Sequence, residues 1–339
     1  MIKHAFVLAV YLVSLPFAAS AQLQLNGAGA TFPYVLYSKW FDVYSKKSGI
    51  HFNYQSIGSG GGIKQVIEGT VDFGASDGPM TDQQLAEASA KRGSRVLHIP
   101  TTIGAVAIAY NLSLSQPLKL NPAVLADIFL GVIKRWNDPR IAEINPGVTL
   151  PDKPIVVVHR SDGSGTTAIF TDYLCKISGY WKRKYGQGTS VNWPKGTLGA
   201  KGNEGVAGQI KQLPGSIGYI ELAYAEQNKL PYAAVQNYAG EYVLPTLAEV
   251  TRAAESAIGW IADDLRGSIT QPGRGYPIAG LTWLLVLERQ PDRAKGKALA
   301  DFLRWALTEG QTYCAPLHYA PLPKVLADRA LKAVARIRP

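Results

Sequence analysis

Cysteine, histidine and charged residues are scarce in this chain. Its 339 residues include 2 cysteines and 5 histidines, and 18% of them carry a charge. The histidines do not recur at zinc-ligand spacing, so no metal site is expected. Hydrophobic residues make up 47% of the chain, and with so little charge this composition excludes a disordered protein and favours a folded one with a substantial core.

Motifs for nucleotide binding and for serine nucleophiles are also missing. The glycine run at 58–62 continues as Ile63-Lys64, which does not match a phosphate loop, and it does not fit a dinucleotide fingerprint either. Asp162 and Thr166 stand where a nucleophile elbow around Ser164 would need glycine. We therefore expect neither an enzyme nor a cofactor.

The chain has one long apolar run, and it lies at the amino terminus. Lys3 precedes apolar residues 5–13, and the sequence continues through Pro16 to Ala-Ser-Ala at 19–21. This order is typical of a signal peptide, here cleaved before Gln22, and the run is too short to span a membrane. No cysteine follows the cleavage site, so we expect an exported protein without a lipid anchor.

The two cysteines could form one disulfide, since an exported protein meets oxidising conditions. Cys175 and Cys314 lie, however, on segments that the domain assignment below places in different domains. A bridge would tie together parts that should move. Both thiols are therefore predicted to be free and buried.

Length and charge narrow the function further. Removing 21 residues from 339 leaves 318, which favours two domains, and the formal charge of +10 becomes +9 without Lys3. A positive chain favours an anionic partner, which leaves nucleic acid, a membrane surface and a small oxyanion open. The basic residues of the carboxyl-terminal tail alternate with apolar ones at helical spacing, so they indicate the solvent-exposed face of a packed helix. Export also argues against nucleic acid.

The most informative stretch is Arg-Ser-Asp-Gly-Ser-Gly-Thr-Thr at 160–167. It follows an apolar run at 155–158 and precedes a helix-like segment at 168–174. A strand that turns through small residues into a helix directs free N–H groups and a positive dipole end at one point, which suits an anion. Arg160 adds a planar cation, and Asp162 can orient it.

Three further turns have the same character. Thr31 and Phe32 precede a helix, Ser59 follows a predicted strand at 51–57, and Asp77 follows one at 70–75. Any one of these turns could be ordinary, because Gly, Ser and Asp are common turn residues. Four together, at the edge where open α/β sheets bind ligands, favour a site for a small oxyanion.

Several motifs occur in the order found in one family. They are Gly-Ala-Gly-Ala-Thr-Phe-Pro at 27–33, Tyr-Gln-Ser-Ile-Gly-Ser-Gly-Gly-Gly at 54–62, Val-Asp-Phe-Gly-Ala-Ser-Asp at 71–77, the stretch 160–167, and Leu-Pro-Gly-Ser-Ile-Gly-Tyr at 213–219. Over about 25–323 the chain resembles the periplasmic phosphate-binding protein of the high-affinity phosphate ABC transporter. The resemblance implies a periplasmic protein that binds inorganic phosphate and works with inner-membrane permease subunits and, through them, a cytoplasmic ATPase. It would be a monomer, with no cofactor and no nucleic acid partner.

The resemblance also implies the ligand contacts. The phosphate-binding residues would be Thr31, Phe32 through its N–H, Ser59, Asp77, Arg160, Ser164, Gly165 and Thr166, with Asp162 holding the arginine. Gly60 replaces a serine that is usual in the family, and Gly78 replaces a usual alanine. Asp77 would accept a hydrogen bond from a protonated oxygen of the ligand. It would therefore reject sulfate, which is fully ionised and has no such proton.

The implied fold is the α/β two-domain periplasmic-binding-protein fold, type II-like, with two sheets flanked by helices and a ligand cleft at the hinge. The expected division is 1–21 signal peptide, 22–104 first part of domain I, 105–278 domain II and 279–339 second part of domain I. Alternatives that remain open are a binding protein for arsenate, sulfate or molybdate, an exported phosphatase using Ser59, Ser164 or Thr166, and a surface adhesin or signalling component.

Overall fold

Strands and helices alternate along the part of the chain that the computed structural model describes, residues 22–338. The expected signal peptide at 1–21 lies outside the described residues. The predicted α/β class is confirmed by this alternation. The strands are β1 (Gln24–Gly29), β2 (His51–Ser56), β3 (Phe73–Ser76), β4 (Val96–Tyr110), β5 (Lys119–Leu120), β6 (Val156–Arg160), β7 (Leu198–Ala200), β8 (Ser216–Glu221), β9 (Ala234–Gln236), β10 (Tyr242–Val243) and β11 (Ala279–Leu287).

The helices occupy most of the connections between strands. They are α1 (Tyr34–Ser48), α2 (Ser59–Glu68), α3 (Asp82–Arg92), α4 (Pro122–Phe129), α5 (Pro139–Glu143), α6 (Gly165–Ile177), α7 (Gly179–Lys184), α8 (Gly202–Gln212), α9 (Leu222–Asn228), α10 (Leu247–Ala257), α11 (Arg293–Ala306) and α12 (Lys324–Val334). Short 3₁₀ turns lie at Ile258–Trp260, Glu309–Tyr313 and Ala315–Leu317.

Eight strands form one sheet in the order β2-β1-β3-β11-β4-β8-β6-β7, and β10-β9-β5 form a second, small sheet. The strand β4 carries the large sheet across the molecule. Its first part pairs antiparallel with β11 up to Ala105, and from Val106 onward it pairs antiparallel with β8. We call the part built on β1, β2, β3 and β11 the first lobe and the part built on β6, β7 and β8 the second lobe.

The change of partner along β4 lies beside the crossing expected near residue 105. The return to the first lobe begins with Ala279 at the start of β11. The exact domain limits, 104/105 and 278/279, stay a prediction. The strand order also shows that the strands of the two lobes belong to one sheet, because β4 pairs with both β11 and β8. The lobes are therefore connected through the hydrogen bonds of β4.

Aromatic residues dominate the core of the first lobe. On α1 the side chains Tyr37, Trp40, Phe41 and Tyr44 are buried, as their spacing predicts. The ring of Phe41 stacks on Phe52 of β2 with centroids 4.7 Å apart. Aromatic pairs of this kind stabilise a core beyond their buried area. They pack α1 against β2, and Thr31 and Phe32 lie just before α1.

Two helices near the carboxyl terminus also have apolar residues at the spacing that predicts a helix face packed on the core. On α11, Leu299, Phe302, Leu303 and Ala306 are buried. On α12, Leu326, Ala330 and Val334 are buried, while Lys324 is exposed and Lys332 lies in the last turn. The tail is therefore an amphipathic helix packed on the first lobe, as predicted.

Some sequence-based boundaries were wrong. The strand expected at 70–75 runs over Phe73–Ser76. The apolar residues at 106–110 predict a strand that begins at Val106, whereas β4 begins at Val96. Both cysteines are free, but only Cys314 is buried, so the prediction that Cys175 is buried was wrong. Cys175 lies near the end of α6, and this end of the helix is less covered than its first turns.

Candidate functional site

The predicted site residues lie at the ends of elements from both lobes. Thr31 and Phe32 connect β1 to α1, and Ser59 is the first residue of α2. In the second lobe, Ser164 caps α6, and its Oγ accepts the N–H of Thr167 at 3.1 Å. The first N–H groups of a helix have no partner within the helix, and they form the positive end of its dipole. Each of these segments can therefore offer N–H donors to an anion.

An asparagine links the two lobes at this point. The side-chain Nδ2 of Asn203, in the first turn of α8, lies 2.7 Å from Thr31 Oγ1 and 3.1 Å from Thr166 Oγ1. Its Oδ1 accepts the N–H of Glu221 at 2.9 Å. All of these atoms belong to buried residues. Thr31 of the first lobe and Thr166 of the second are thus held around one amide group.

Arg160 supplies the positive charge of the site. Its side chain is 1% exposed and pairs with Asp162, with Nε 2.7 Å from Oδ1 and Nη2 2.5 Å from Oδ2. Nη1 lies 3.4 Å from Thr166 Oγ1, on the side away from the aspartate. The two-point contact fixes the plane of the guanidinium and leaves Nη1 directed at the site.

The Asp162 carboxylate is well suited to this orienting role. Burial opposes its ionisation most strongly. The hydrogen bonds and charge of Arg160 and the N–H of Gly202 together outweigh burial, so the pKa of Asp162 lies below its usual value. It therefore remains ionised and neutralises the arginine. The pair adds no net charge to the site.

Asp77 is a second carboxyl group, and it has no such partner. It is buried, its Oδ1 accepts a hydrogen bond from Thr282 Oγ1 at 2.7 Å, and its Oδ2 lies 3.3 Å from Ser59 Oγ. Burial raises the pKa of Asp77 from 3.8 to about 7, against the lowering effects of the Thr282 hydrogen bond and the Arg160 charge. Near neutral pH this group can therefore hold or release a proton.

The lobes approach each other closely at three glycines. The N–H of Gly60 donates to the carbonyl of Gly163 at 2.8 Å. A side-chain carbon on Gly60 would lie 3.1 Å from Gly163 Cα, which is a close contact. A carbon added to Gly165 would lie 2.4 Å from both Asp77 Oδ2 and Ser59 Oγ. A side chain at Gly165 would therefore displace Asp77 or Ser59 where the lobes meet.

The structure brings all nine predicted residues together. Ser59 contacts Asp77, Gly165 lies against both, Ser164 precedes Gly165, Arg160 contacts Asp162 and Thr166, and Asn203 joins Thr166 to Thr31, which precedes Phe32. Their role as ligand contacts stays a prediction.

Sequence reasoning missed Asn203, Thr282 and Tyr224. Tyr224 Oη donates to the carbonyl of Thr31 at 2.6 Å. For Asn203 a signal existed, because Gly202-Asn203 follows β7 and opens α8 in the same strand-turn-helix order as the other turns. Thr282 lies inside β11 and Tyr224 inside α9, so their sequence surroundings give no indication of a site.

Among residues 22–338, no group of three or more His, Cys, Asp or Glu side chains could hold a metal ion. No helix in this part of the chain is long and apolar enough to cross a bilayer.

Comparison with known proteins identifies the family. A family model described as a PBP superfamily domain matches residues 17–309. The phosphate-binding protein PstS of Pasteurella multocida is 45% identical over 97% of this chain and 94% of its own length. The chain belongs to this family of phosphate-binding proteins. PstS of Methanocaldococcus jannaschii, which is 41% identical over 93% of this chain and 86% of its own, is another relative.

Solved structures of phosphate-binding proteins have the same fold. A high-affinity periplasmic phosphate-binding protein bound with phosphate superposes with a TM-score of 0.73 at 25% identity, covering 90% of this chain and 92% of its own. The phosphate-binding protein from Stenotrophomonas maltophilia superposes with a TM-score of 0.69 at 20% identity, covering 91% of this chain and 93% of its own. The predicted two-domain periplasmic-binding-protein fold is therefore confirmed.

Proposed function

We propose that this chain is a periplasmic solute-binding protein that captures inorganic phosphate between its lobes and delivers it to an inner-membrane ABC permease. The observation that carries this proposal is that a buried cation and a buried acid lie at the same site. Arg160 faces the site with its charge already balanced by Asp162, and Asp77 lies at the same site with a raised pKa. Its relatives are named phosphate-binding proteins.

The donors around this point suit a tetrahedral oxyanion. The amino termini of α2 and α6 offer N–H groups, Thr31, Ser59 and Thr166 offer hydroxyls, and Arg160 offers a charged N–H. A dianion would thus be held mainly by hydrogen bonds from fixed dipoles, since the Arg160–Asp162 pair is neutral overall. No covalent step is required, and we propose no enzymatic activity.

Asp77 would supply specificity through the ligand's own proton. Hydrogen phosphate carries an O–H that can donate to the Asp77 carboxylate, whereas sulfate has no proton near neutral pH. A buried carboxylate facing sulfate would have no donor and would repel the anion, and an unpaired buried group alone costs about 1–3 kcal/mol. Arsenate shares phosphate's protonation, so the site should accept it more readily than sulfate or molybdate.

The remaining parts of the proposal concern the cell. The chain would be exported, cleaved before Gln22, and act as a monomer that closes its two domains, 22–104 with 279–339 and 105–278, on the ligand. The permease would be driven by a cytoplasmic ATPase. The hydrogen bonds that Asn203 and Tyr224 make to Thr31 join the lobes, and these contacts would form on closure.

The test is a calorimetric titration of the mature protein with phosphate and with sulfate at pH 8, after reversible unfolding to remove carried-over ligand. We expect tight one-to-one binding of phosphate and, at this pH, far weaker binding of sulfate. Asp77→Asn should gain sulfate binding, because its amide can donate a hydrogen bond. Asp328→Asn, on the exposed face of α12, is the matched control and should behave as wild type.

The outcomes separate the alternatives. Failure of both anions to bind would contradict the proposed function, and comparable sulfate binding by the wild type would contradict the role of Asp77 alone. Release of product from a chromogenic phosphate ester, lost on substitution of Ser59 or Ser164, would instead favour an exported phosphatase.

A further inference from the structure

A third carboxyl group, Glu221, lies behind the site and takes no part in the binding scheme above. It is the last residue of β8 and pairs with Val106, where β4 changes partner. Its side chain is fully buried, and among the described residues no basic side chain forms a hydrogen bond or ion pair with it. Oε2 accepts the N–H of Ala223 at 2.8 Å and lies 3.1 Å from Tyr319 Oη, whereas Oε1 has no partner in this part of the chain.

The hydrogen bonds around Tyr319 fix where the protons must be. Tyr319 Oη lies 2.6 Å from the carbonyl oxygen of Phe32, and a carbonyl can only accept, so the single phenolic proton is directed there. Toward Glu221 the Tyr319 oxygen can then only accept. The 3.1 Å contact is therefore a hydrogen bond only when the Glu221 carboxyl carries a proton.

The electrostatic surroundings also favour a protonated Glu221. Burial is the largest effect and raises the pKa of Glu221 well above its usual value, against the lowering effect of the hydrogen bond from the Ala223 N–H, and the charge of Asp77 raises it further. The titratable groups that act on it are Asp77, Tyr319 and Tyr224. None of these can be a cation. An ionised Glu221 would be a buried, unpaired anion beside a site that takes an anion.

Glu221 reaches the ligand-binding turn by two routes. Through Tyr319 it contacts the carbonyl of Phe32, and through its own N–H it contacts Asn203, which donates to Thr31. The carbonyl of Thr31 is held by Tyr224 at 2.6 Å. Since the Thr31 carbonyl and the Phe32 N–H belong to one peptide group, these contacts set the direction of the N–H that the ligand would meet.

We propose that Glu221 is a neutral acid that donates a hydrogen bond to Tyr319, and that this contact positions the Thr31–Phe32 turn for phosphate. Glu221 and Tyr319 are positioning residues, since neither would touch the ligand. The positioning role rests on the proposed function, whereas the proton on Glu221 does not.

Infrared spectroscopy tests the proton directly. In an Asp77→Asn background, which removes the other carboxyl group of the site with a raised pKa, we expect the carbonyl stretching band of a buried protonated carboxyl group at pH 7. The band should disappear when Glu221→Gln is added. It should move to the frequency of a less hydrogen-bonded acid when Tyr319→Phe is added, since the acceptor for its proton is then missing.

Phosphate titration tests the positioning role. Tyr319→Phe in the otherwise wild-type chain should weaken phosphate binding about three- to tenfold, the effect of losing the hydrogen bond that holds the Phe32 carbonyl. Tyr313→Phe, which removes a hydroxyl outside the site, is the matched control and should leave affinity unchanged.

The proton on Glu221 and the positioning role are tested by different measurements, so each can fail separately. Absence of the band, or a band that Tyr319→Phe does not move, would overturn the inference even if phosphate binds tightly. An unchanged affinity in Tyr319→Phe would overturn the positioning role. If the wild type binds no phosphate, the proposed function and the positioning role both fail, and the band then reports on Glu221 alone.

Discussion

Replacing Asp77 by asparagine should stabilise the ligand-free protein at neutral and alkaline pH. The folded protein holds the Asp77 proton more tightly than the unfolded chain does, since the pKa is about 7 in the fold and 3.8 without it. The free energy of unfolding therefore falls as pH rises from about 4 to about 7, and it stays lowered above that range. Asparagine is neutral at every pH and avoids this loss.

The magnitude follows from the size of the shift. A difference of about three pKa units corresponds to about 4 kcal/mol at 1.36 kcal/mol per unit. The amide oxygen of the introduced asparagine would still accept from Thr282, which contacts Asp77 Oδ1 at 2.7 Å, so the substitution should cost little in geometry. The stability difference between Asp77→Asn and wild type should rise by about 4 kcal/mol between pH 4 and pH 8.

Urea unfolding in buffers free of phosphate and sulfate measures this difference. Tryptophan fluorescence can follow the transition, since the chain has 7 tryptophans. Titrating groups that the Asp77 charge does not affect cancel in the difference between the two proteins. Asp328→Asn on α12 serves as the control for a surface carboxylate. A difference that stays flat with pH, or one that falls as pH rises, would refute the raised pKa and with it the account of specificity.

Three further predictions concern binding. Sulfate should bind the form of the protein in which Asp77 is protonated, so its affinity, followed by calorimetric competition, should fall about tenfold per pH unit above 7, and Asp77→Asn should remove this dependence. Gly165→Ala should weaken phosphate binding at least about a hundredfold, because the added carbon would lie 2.4 Å from two side-chain oxygens, whereas Gly208→Ala, with open space around it, should have no effect. Arg160→Lys should weaken phosphate binding by about a hundredfold or more, because an ammonium cannot both contact Asp162 at two points and reach the ligand; a loss under about threefold would contradict this geometry.

The turns of the site could be predicted because their composition is local. Glycine and small hydroxylated residues between an apolar run and a helical pattern identify Thr31, Ser59 and Ser164 without knowledge of the fold. The roles of Asn203 and Glu221 could not be found in this way, since each acts through contacts with segments far away in sequence. The burial of Glu221 without a cation also runs against the usual distribution of this residue type.

The length of β4 shows a similar limit. Pro100 and Gly104 interrupt the sequence pattern of a strand, so only the part from Val106 was predicted. In the fold, β11 pairs along the earlier part, and an irregularity between Thr282 and Trp283 adjusts the register next to Pro100. Pairing with a distant strand overrides the local preference, and the sequence alone does not contain that information.

The position of β11 has a consequence for how the protein is made. This strand lies between β3 and β4, although residues 111–278 separate it from β4 in the chain. A nascent chain that ends before residue 279 leaves both neighbouring strands with unpaired edges, so the sheet of the first lobe cannot close during most of synthesis. The strand order therefore requires nearly the whole polypeptide before this sheet can form, which would suit the export that we propose for this chain.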